Sequence, residues 1–512
     1  MTSPASRPAH PPPTPPSATM IERHLPSAAC CLALLSAAPT LAANGLEPAR
    51  PTMPGEPVSL EGKIVALSLE DAIFIGLGGN AAIRNAYRER LAQKTELKAA
   101  ENRFSPKFSI NSRHITSQYP NDSASKTEFS PTATLQSEYG TQLSLSWNNK
   151  VTQGGHTGYS RNDGASFTVT QPLLRGAKRE VVTAPVRLAR LGDQINRLNL
   201  KAIVSDAVTQ IVIAYNGILR FQERLRLARQ AWMRSRQELR DMGHMIAAGY
   251  WRDYDFVQIE AEAAHQELSL EEATNQLHAE CHRLSHLLGL NPETKIRATD
   301  PLEASPAQTR LAQALAAART RQPAYLIQTI TSEQAAIKLA VARDQQQWDV
   351  SLVGGGSQAR EYFTGANGRQ TSENRENHAG IKIDIPFGDV SRRQIEVRAR
   401  MEAKAQNDRL IEAQQALERG IGDALRDLDT HWRKYEAAQR AFELSRRRLE
   451  IEREKLQSGL SSSARILDCE SDLRNAETAR LDALLAYRNA QTALDRAQGT
   501  TLEQWEIALN DD

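Results

Sequence analysis

Cysteine is scarce in this chain, with four among 512 residues. Cys30 and Cys31 fall in a segment read below as a leader, so only Cys281 and Cys469 remain for the mature protein. These two lie on separate helical stretches at different distances from the nearest glycine break, which leaves no disulfide framework to expect. Excess charge is also scarce. A net +2 argues against a dedicated nucleic-acid binder, so no nucleic-acid partner is expected. After the leader, no run of about 18 apolar residues occurs, and no spanning helix is expected. Chemistry-bearing patterns are missing too. No Ser/His/Asp or Cys/His arrangement has supporting context, and Gly76-Leu77-Gly78-Gly79 does not follow a strand as a phosphate loop requires. Neither catalysis nor a cofactor is indicated.

The N-terminal segment reads as an export leader. Residues 2–19 are mostly Pro, Ser, Thr and Ala, which cannot build a core. From Met20, a short polar stretch, Ile21-Glu22-Arg23-His24, leads into the apolar run Ala28 to Ala38 and then Pro39-Thr40-Leu41-Ala42-Ala43. That is the order of a signal peptide with small residues at its cleavage point. Residues 1–43 are therefore leader and signal, with translation expected to start at Met20, and 44–65 a linker. An exported chain without a spanning helix is periplasmic, secreted, or held in an outer membrane by β-strands.

The mature chain repeats itself. Pro106-Lys107-Phe108-Ser109-Ile110 is echoed by Trp348-Asp349-Val350-Ser351-Leu352, Gln171-Pro172-Leu173 by Ile385-Pro386-Phe387, and Gly249-Tyr250 by Gly459-Leu460. The shared order assigns residues 66–290 to one repeat and 308–498 to a second, joined by a linker at 291–307 and followed by a tail at 499–512. Each repeat reads as a helix (66–103; 308–347), strands (104–174; 348–387) and a long helical hairpin (176–290; 390–498).

The helical signal is strong. From Pro185 to about Met245, two apolar stripes alternate steps of three and four, one through Leu188, Leu191, Ile195, Leu198 and Ala202, the other through Val204, Val208, Ile211, Tyr215 and Ile218. Leu417, Ile421, Ala424, Leu428 and Tyr435 continue such a frame in the second repeat. Gly249 and Gly459 interrupt these patterns and mark hairpin tips. The segments between carry period-two alternation instead. Leu143, Leu145 and Trp147 alternate with Ser144, Ser146 and Asn148, and Ile381, Ile383 and Ile385 are separated by Lys382 and Asp384. One apolar and one polar face suit a barrel with lipid outside and water inside, with Tyr139, Trp147, Tyr362 and Phe363 as interfacial aromatics. About four principal strands per chain cannot close alone, since the smallest such barrels have about eight and open edges are not tolerated in lipid. A homotrimer with about twelve strands is expected.

With these motifs in this duplicated order, residues 66–498 resemble the TolC-like outer-membrane efflux proteins. The resemblance rests on Thr170-Gln171-Pro172-Leu173-Leu174-Arg175-Gly176, its counterpart Ile385-Pro386-Phe387-Gly388, and the stretches after Gly249 and Gly459. It implies a mixed α/β membrane protein. Three chains would form a β-barrel in the outer membrane of a Gram-negative bacterium, continuous with a long periplasmic α-helical tube. It implies a passive conduit for efflux or type I secretion, docking with a periplasmic adaptor and an inner-membrane pump. It also places strand-to-helix exits at Gln171, Pro172, Pro386 and Gly388, and a periplasmic tip and gate at Gly249, Asp255, Gly459 and Asp468. Arg465 and Leu456 depart from the acidic and aromatic residues common at such tips. The rival reading is a periplasmic coiled-coil adaptor or scaffold, which shares the hairpins but not the amphipathic strands.

One further cluster stands apart. His278, Cys281, His282 and His286 recur at helical spacing, a pattern able to hold zinc or copper, but Leu284, Leu287 and Leu288 share the helix and no metal is assigned.

Overall fold

The computed structural model describes residues 64–119, 122–154, 158–247, 253–365, 368–385, 387–458 and 460–509. Two halves lay out nearly the same order. The first comprises β1 (Ile64–Leu67), α1 (Leu69–Gly79), α2 (Ala81–Glu101), β2 (Lys107–Tyr119), β3 (Asp122–Gln136), β4 (Gln142–Gly154), β5 (Gly158–Pro172), a short α3 (Arg179–Val182), α4 (Ala184–Ala247) and α5 (Asp253–Leu288). The second comprises β6 (Lys295–Ala298), α6 (Leu311–Arg321), α7 (Pro323–Asp344), β7 (Asp349–Gly365), β8 (Gly368–Asp384), α8 (Val390–Gln457), α9 (Ser463–Gln498) and a terminal turn, α10 (Thr501–Gln504).

The long helices set the dimensions. Helices α4 and α8 have 64 and 68 residues, about 96–102 Å at 1.5 Å per residue, whereas α5 and α9 return over only 36 residues each. A second helix must cover the remainder of each long one. Helix α2 does so for α4, tied by the buried Arg90–Asp193 pair at 2.5 Å. Helix α7 does so for α8, where Gln328 Nε2 donates to Gln406 Oε1 at 3.0 Å.

Covering helices and returning helices meet end to end, and this breaks the single helices expected over 66–103 and 308–347. Gly79 lies so close to the end of α5 that a Cβ there would sit 1.8 Å from the Leu288 carbonyl oxygen. Asn80 then serves both sides. Its amide donates to the Leu287 carbonyl at 2.9 Å, and its Oδ1 caps α2 by accepting from the Ala82 N–H at 2.9 Å. In the second half, Gln322 caps α7 by accepting from the Tyr325 N–H at 2.6 Å, and Pro323 fills the first helical position, where its missing N–H costs nothing. Gly499, at φ 73°, ends α9 against the Arg321 carbonyl.

The core gathers at this level. Val204, Val208, Ile211, Tyr215 and Ile218 of α4 are fully buried with Ile83, Leu284 and Leu288. This stretch lies in a helix long and apolar enough by composition to cross a membrane, but 67% of the apolar window is buried inside the chain. Parallel pairing of β1 with β6 places two segments read as linkers in a small sheet. Tyr215 pins it, donating to the Leu67 carbonyl at 3.0 Å and accepting from the Thr299 N–H at 3.2 Å. Tyr487 of α9 holds the following segment in the same way, donating to the Ser305 carbonyl at 2.9 Å and accepting from the Ala307 N–H at 2.8 Å.

The main sheet is antiparallel with order β2-β3-β4-β5-β7-β8. It has six strands where four were expected. Within the strand region expected over 104–174, no alternation marks separate strands between Phe108 and Tyr139, because Ser, Thr and Asn occupy both parities there and Pro131 interrupts the period. The β2–β3 pairing nevertheless runs unbroken from Lys107↔Thr134 to Tyr119↔Asp122.

Candidate functional site

The register sorts every strand residue onto one of two faces. On one, Leu145 is flanked by Ala133 and Phe167, Leu143 by Leu135 and Val169, and Leu352 by Gln171 and Ile381. Phe108, Ile110, Phe129, Trp147 and Ile383 share this face. These side chains are exposed, Leu145 at 55% and Ile381 at 64%, so the chain itself does not cover them. Phe129 meets Trp147 edge to face, with ring centroids 6.2 Å apart. The opposite face is polar. Ser144, Ser146, Asn148 and Lys150 oppose Thr168, Ser166, Gly164 and Asn162, and the Ser146 and Ser166 hydroxyls bond at 2.7 Å. Of the four proposed interfacial aromatics, Trp147 sits within the apolar band and Tyr362 above it. Phe363 falls on the polar face, one residue out of register with that role, and Tyr139 is exposed in the β3–β4 turn.

The strand-to-helix exits are built by contacts between the two halves. Past Pro172, which pairs with Ser351, the Leu173 N–H donates to the Val350 carbonyl at 2.7 Å and the Arg175 N–H to the Trp348 carbonyl at 3.3 Å. Asp344, buried at the end of α7, accepts from the Gly176 N–H at 2.7 Å, and Arg175 pairs with Asp349 at 2.6 Å. Gln171 has a bracing role, accepting from the Thr141 hydroxyl at 2.5 Å and so joining the exit to the β3–β4 turn. At the second exit, Gly388 at φ 72° turns the chain into α8, which Asp389 caps by accepting from the Arg392 N–H at 3.2 Å. Gly176, at φ 76°, is the matching left-handed residue of the first exit. Pro386 lies outside the described residues.

At the far end of the hairpins, Gly249 and Gly459 also lie outside the described residues. Asp255 is the third residue of α5, its side chain undescribed, and Asp468 is exposed on α9. Both fall in the first two turns of the returning helices, where a carboxylate suits the positive helix end. A more strongly organised carboxylate was missed. Glu452, buried on α8, accepts from the Ser461 hydroxyl at 2.6 Å and from Lys455 at 3.2 Å, with Arg465 Nε at 3.6 Å. The Ser461 hydrogen bond, helped by Lys455 and Arg465, holds its carboxyl below the usual range. Arg465, the departure from the resembled family's pattern, thus closes its own hairpin. Its signal was available: Glu452 lies seven residues before Gly459 and Arg465 six after it, so the two oppose each other across the turn.

Acids also lie within and between the hairpins. Arg453 pairs with Glu470 inside the second hairpin at 2.7 Å, and Arg474 of that hairpin faces Glu262 of the first at 4.0 Å. Burial, then the Glu470 charge, raises the Glu238 carboxyl above its ordinary value. Of the metal candidates, His278, Cys281 and His282 line one groove of about 880 Å³ beside β6. The Cys281 thiol donates to the Ile296 carbonyl at 3.6 Å, and burial pushes its pKa up. His286 is not part of that lining, and among the described residues no three His, Cys, Asp or Glu side chains converge on a metal-sized site.

Residues 314–500 match the family model described as outer membrane efflux protein. The second half of the chain thus carries the sequence pattern of that family. Solved structures share its fold. The CmeC outer membrane channel of Campylobacter jejuni aligns with a TM-score of 0.64 at 14% identity, over 85% of this chain and 86% of its own. The outer membrane protein VceC of Vibrio cholerae gives 0.63 at 16%, over 84% and 96%. The open state of the MtrE outer membrane channel of Neisseria gonorrhoeae gives 0.62 at 17%, over 85% and 89%. No curated protein matches the sequence. The fold is thus that of outer-membrane channels, with an amphipathic sheet at one end and long helical hairpins at the other.

Proposed function

We propose that this chain is the outer-membrane channel subunit of a tripartite efflux or type I secretion system. In this reading, three copies close their sheets into one barrel and bundle their hairpins into a tube. The tube is a passive conduit that docks at its tips with a periplasmic adaptor and, through it, an inner-membrane pump. The observation that carries the reading is the sheet, with an apolar face the chain leaves exposed, a polar face opposite, and two unpaired edges, β2 and β8. Open edges are not tolerated in hydrocarbon, so other copies must complete it. With six strands each, three copies supply eighteen rather than the expected twelve. An adaptor or scaffold would have no use for such a face.

Asp255 and Asp468, repeated threefold, would form an acidic entrance that favours cations. Single-channel recording of purified protein in planar bilayers tests both parts. Wild type is expected to form cation-selective pores, and Asp255→Ala/Asp468→Ala to form pores with reduced selectivity. Pores indifferent to the substitutions would remove the acidic gate. Absence of pores from folded protein would remove the conduit.

A further inference from the structure

The lipid-facing side of the sheet changes character along its height. The helices join at the lower ends of the strands, so the turns after β2, β4 and β7 are the ends farthest from the periplasm. Toward those turns, the face that carries Leu145, Phe167 and Ile381 below carries arginines above. Arg375 lies beside Gln358 in the row of Ala165, Arg360 between Asp163 and Glu373, Arg161 beside Tyr362, and Arg369 beside Thr364 in the row of Tyr159. The four guanidiniums stand on three adjacent strands within a few rows of one another.

They are exposed and incompletely neutralised. Side-chain exposure is 40% for Arg161, 49% for Arg360 and 71% for Arg375. Only two carboxylates share their face on these strands. Asp163 takes Arg161 at 2.7 Å, while Glu373 takes Arg375 at 3.1 Å and Arg360 at 3.7 Å. Arg369 stacks over the Tyr362 ring at 5.9 Å. At the same heights β2, β3 and β4 show this face no Arg, Lys, Asp or Glu, only Ser, Thr, Asn, Gln, Val and His114 with Phe129 and Trp147 in the lower rows. The other charges at this height, Arg113, Lys126, Glu128, Lys150 and Glu361, point to the polar face.

We propose that Arg161, Arg360, Arg369 and Arg375 form a docking belt for the phosphorylated glycolipid head groups of the outer leaflet. The belt is continuous with the apolar band below it, so a molecule seated there has its acyl chains on Leu145 and Phe167 and its head group at the guanidiniums. Guanidinium is the side chain that binds phosphate bidentately, and it binds more tightly where water is partly excluded. Tyr159 and Tyr362 supply the amphipathic rings that favour this depth. The proposal rests on the apolar face being the lipid face.

Native mass spectrometry of the detergent-purified protein, titrated with bisphosphorylated lipid A and with the same lipid after dephosphorylation, tests it. Wild type is expected to bind the phosphorylated form roughly tenfold more tightly, a comparison that needs no variant. Arg161→Gln/Arg360→Gln/Arg369→Gln/Arg375→Gln is expected to lose that preference while still forming pores, and Lys126→Gln/Lys150→Gln on the polar face to keep it. Equal binding of the two lipids, a preference surviving the fourfold variant, or full competition by inorganic phosphate, which would mark a site for soluble anions, would overturn it. Absence of pores from wild type and fourfold variant alike would count against the conduit rather than the belt.

Discussion

Single side chains at the seam between the two halves make the stability of this protein depend on pH. Asp495 of α9 lines a cavity of about 360 Å³ with Asn216, Asp300 and Thr501, and burial raises its pKa to about 6. A folded-state pKa above the unfolded value means that the native chain holds the proton more tightly. The associated stability is present below about pH 4 and is lost as pH rises through about 6. Asp495→Asn is therefore expected to raise the thermal midpoint at pH 7.5, by a free energy of up to roughly 3 kcal/mol, and to change it little at pH 4. Melting curves at the two pH values check this. Glu452 has the opposite shift, and its loss leaves Ser461, Lys455 and Arg465 without their acceptor. Glu452→Ala is expected to speed proteolysis within the second hairpin tip while leaving the rest of the chain resistant, as limited digestion would show. At this scale, the sequence disclosed residue types but not partners. Gln171 was marked by its motif, yet the Thr141 hydroxyl that it holds lies thirty positions away, and nothing local announces that pairing.

Elements were legible wherever one period ran long. The stripe from Val204 to Ile218 reads directly as the buried face of α4, and the Leu143/Leu145/Trp147 alternation reads as the apolar face of β4. The β2–β3 hairpin was lost because its polar residues occupy both faces beyond Ile110, leaving no period to detect. The breaks at Asn80 and Gln322 were lost for another reason. They serve contacts with the far ends of α5 and α9, about two hundred residues away, although Asn80 as a cap and Pro323 at a first helical position were local start signals. These joints are sensitive to small changes. Gly499→Ala adds a Cβ at positive φ, 2.6 Å from the Arg321 carbonyl oxygen, and is expected to destabilise by about 1–3 kcal/mol. Gly78→Ala, with nothing within 4 Å, is expected to be neutral or slightly stabilising as a helical substitution. Denaturant titration of both variants separates the joint from a general intolerance of alanine. In the sheet, Leu145→Arg on the lipid face is expected to cost about 2–4 kcal/mol, and Ser146→Arg on the polar face far less. Heat-dependent mobility of the folded protein on gels reads the difference.

The whole molecule is understandable only as part of a larger assembly. A sheet with two free edges and an uncovered apolar face does not stand alone in a bilayer, and helices of 64 and 68 residues are longer than any compact domain needs. The duplication made this architecture legible early, since the three paired anchors fixed the order of parts before any contact was known. The number of strands was not legible, because it depends on a hairpin with no clear period. Cargo is not written on the polar face either, where Ser, Thr and Asn offer hydrogen bonds to almost any solute. The most direct test is the mass of the protein extracted from outer membranes in mild detergent, measured by native mass spectrometry. Three chains in one particle are expected, since copies must share the open edges of β2 and β8, and a stable particle containing a single folded chain would contradict the account.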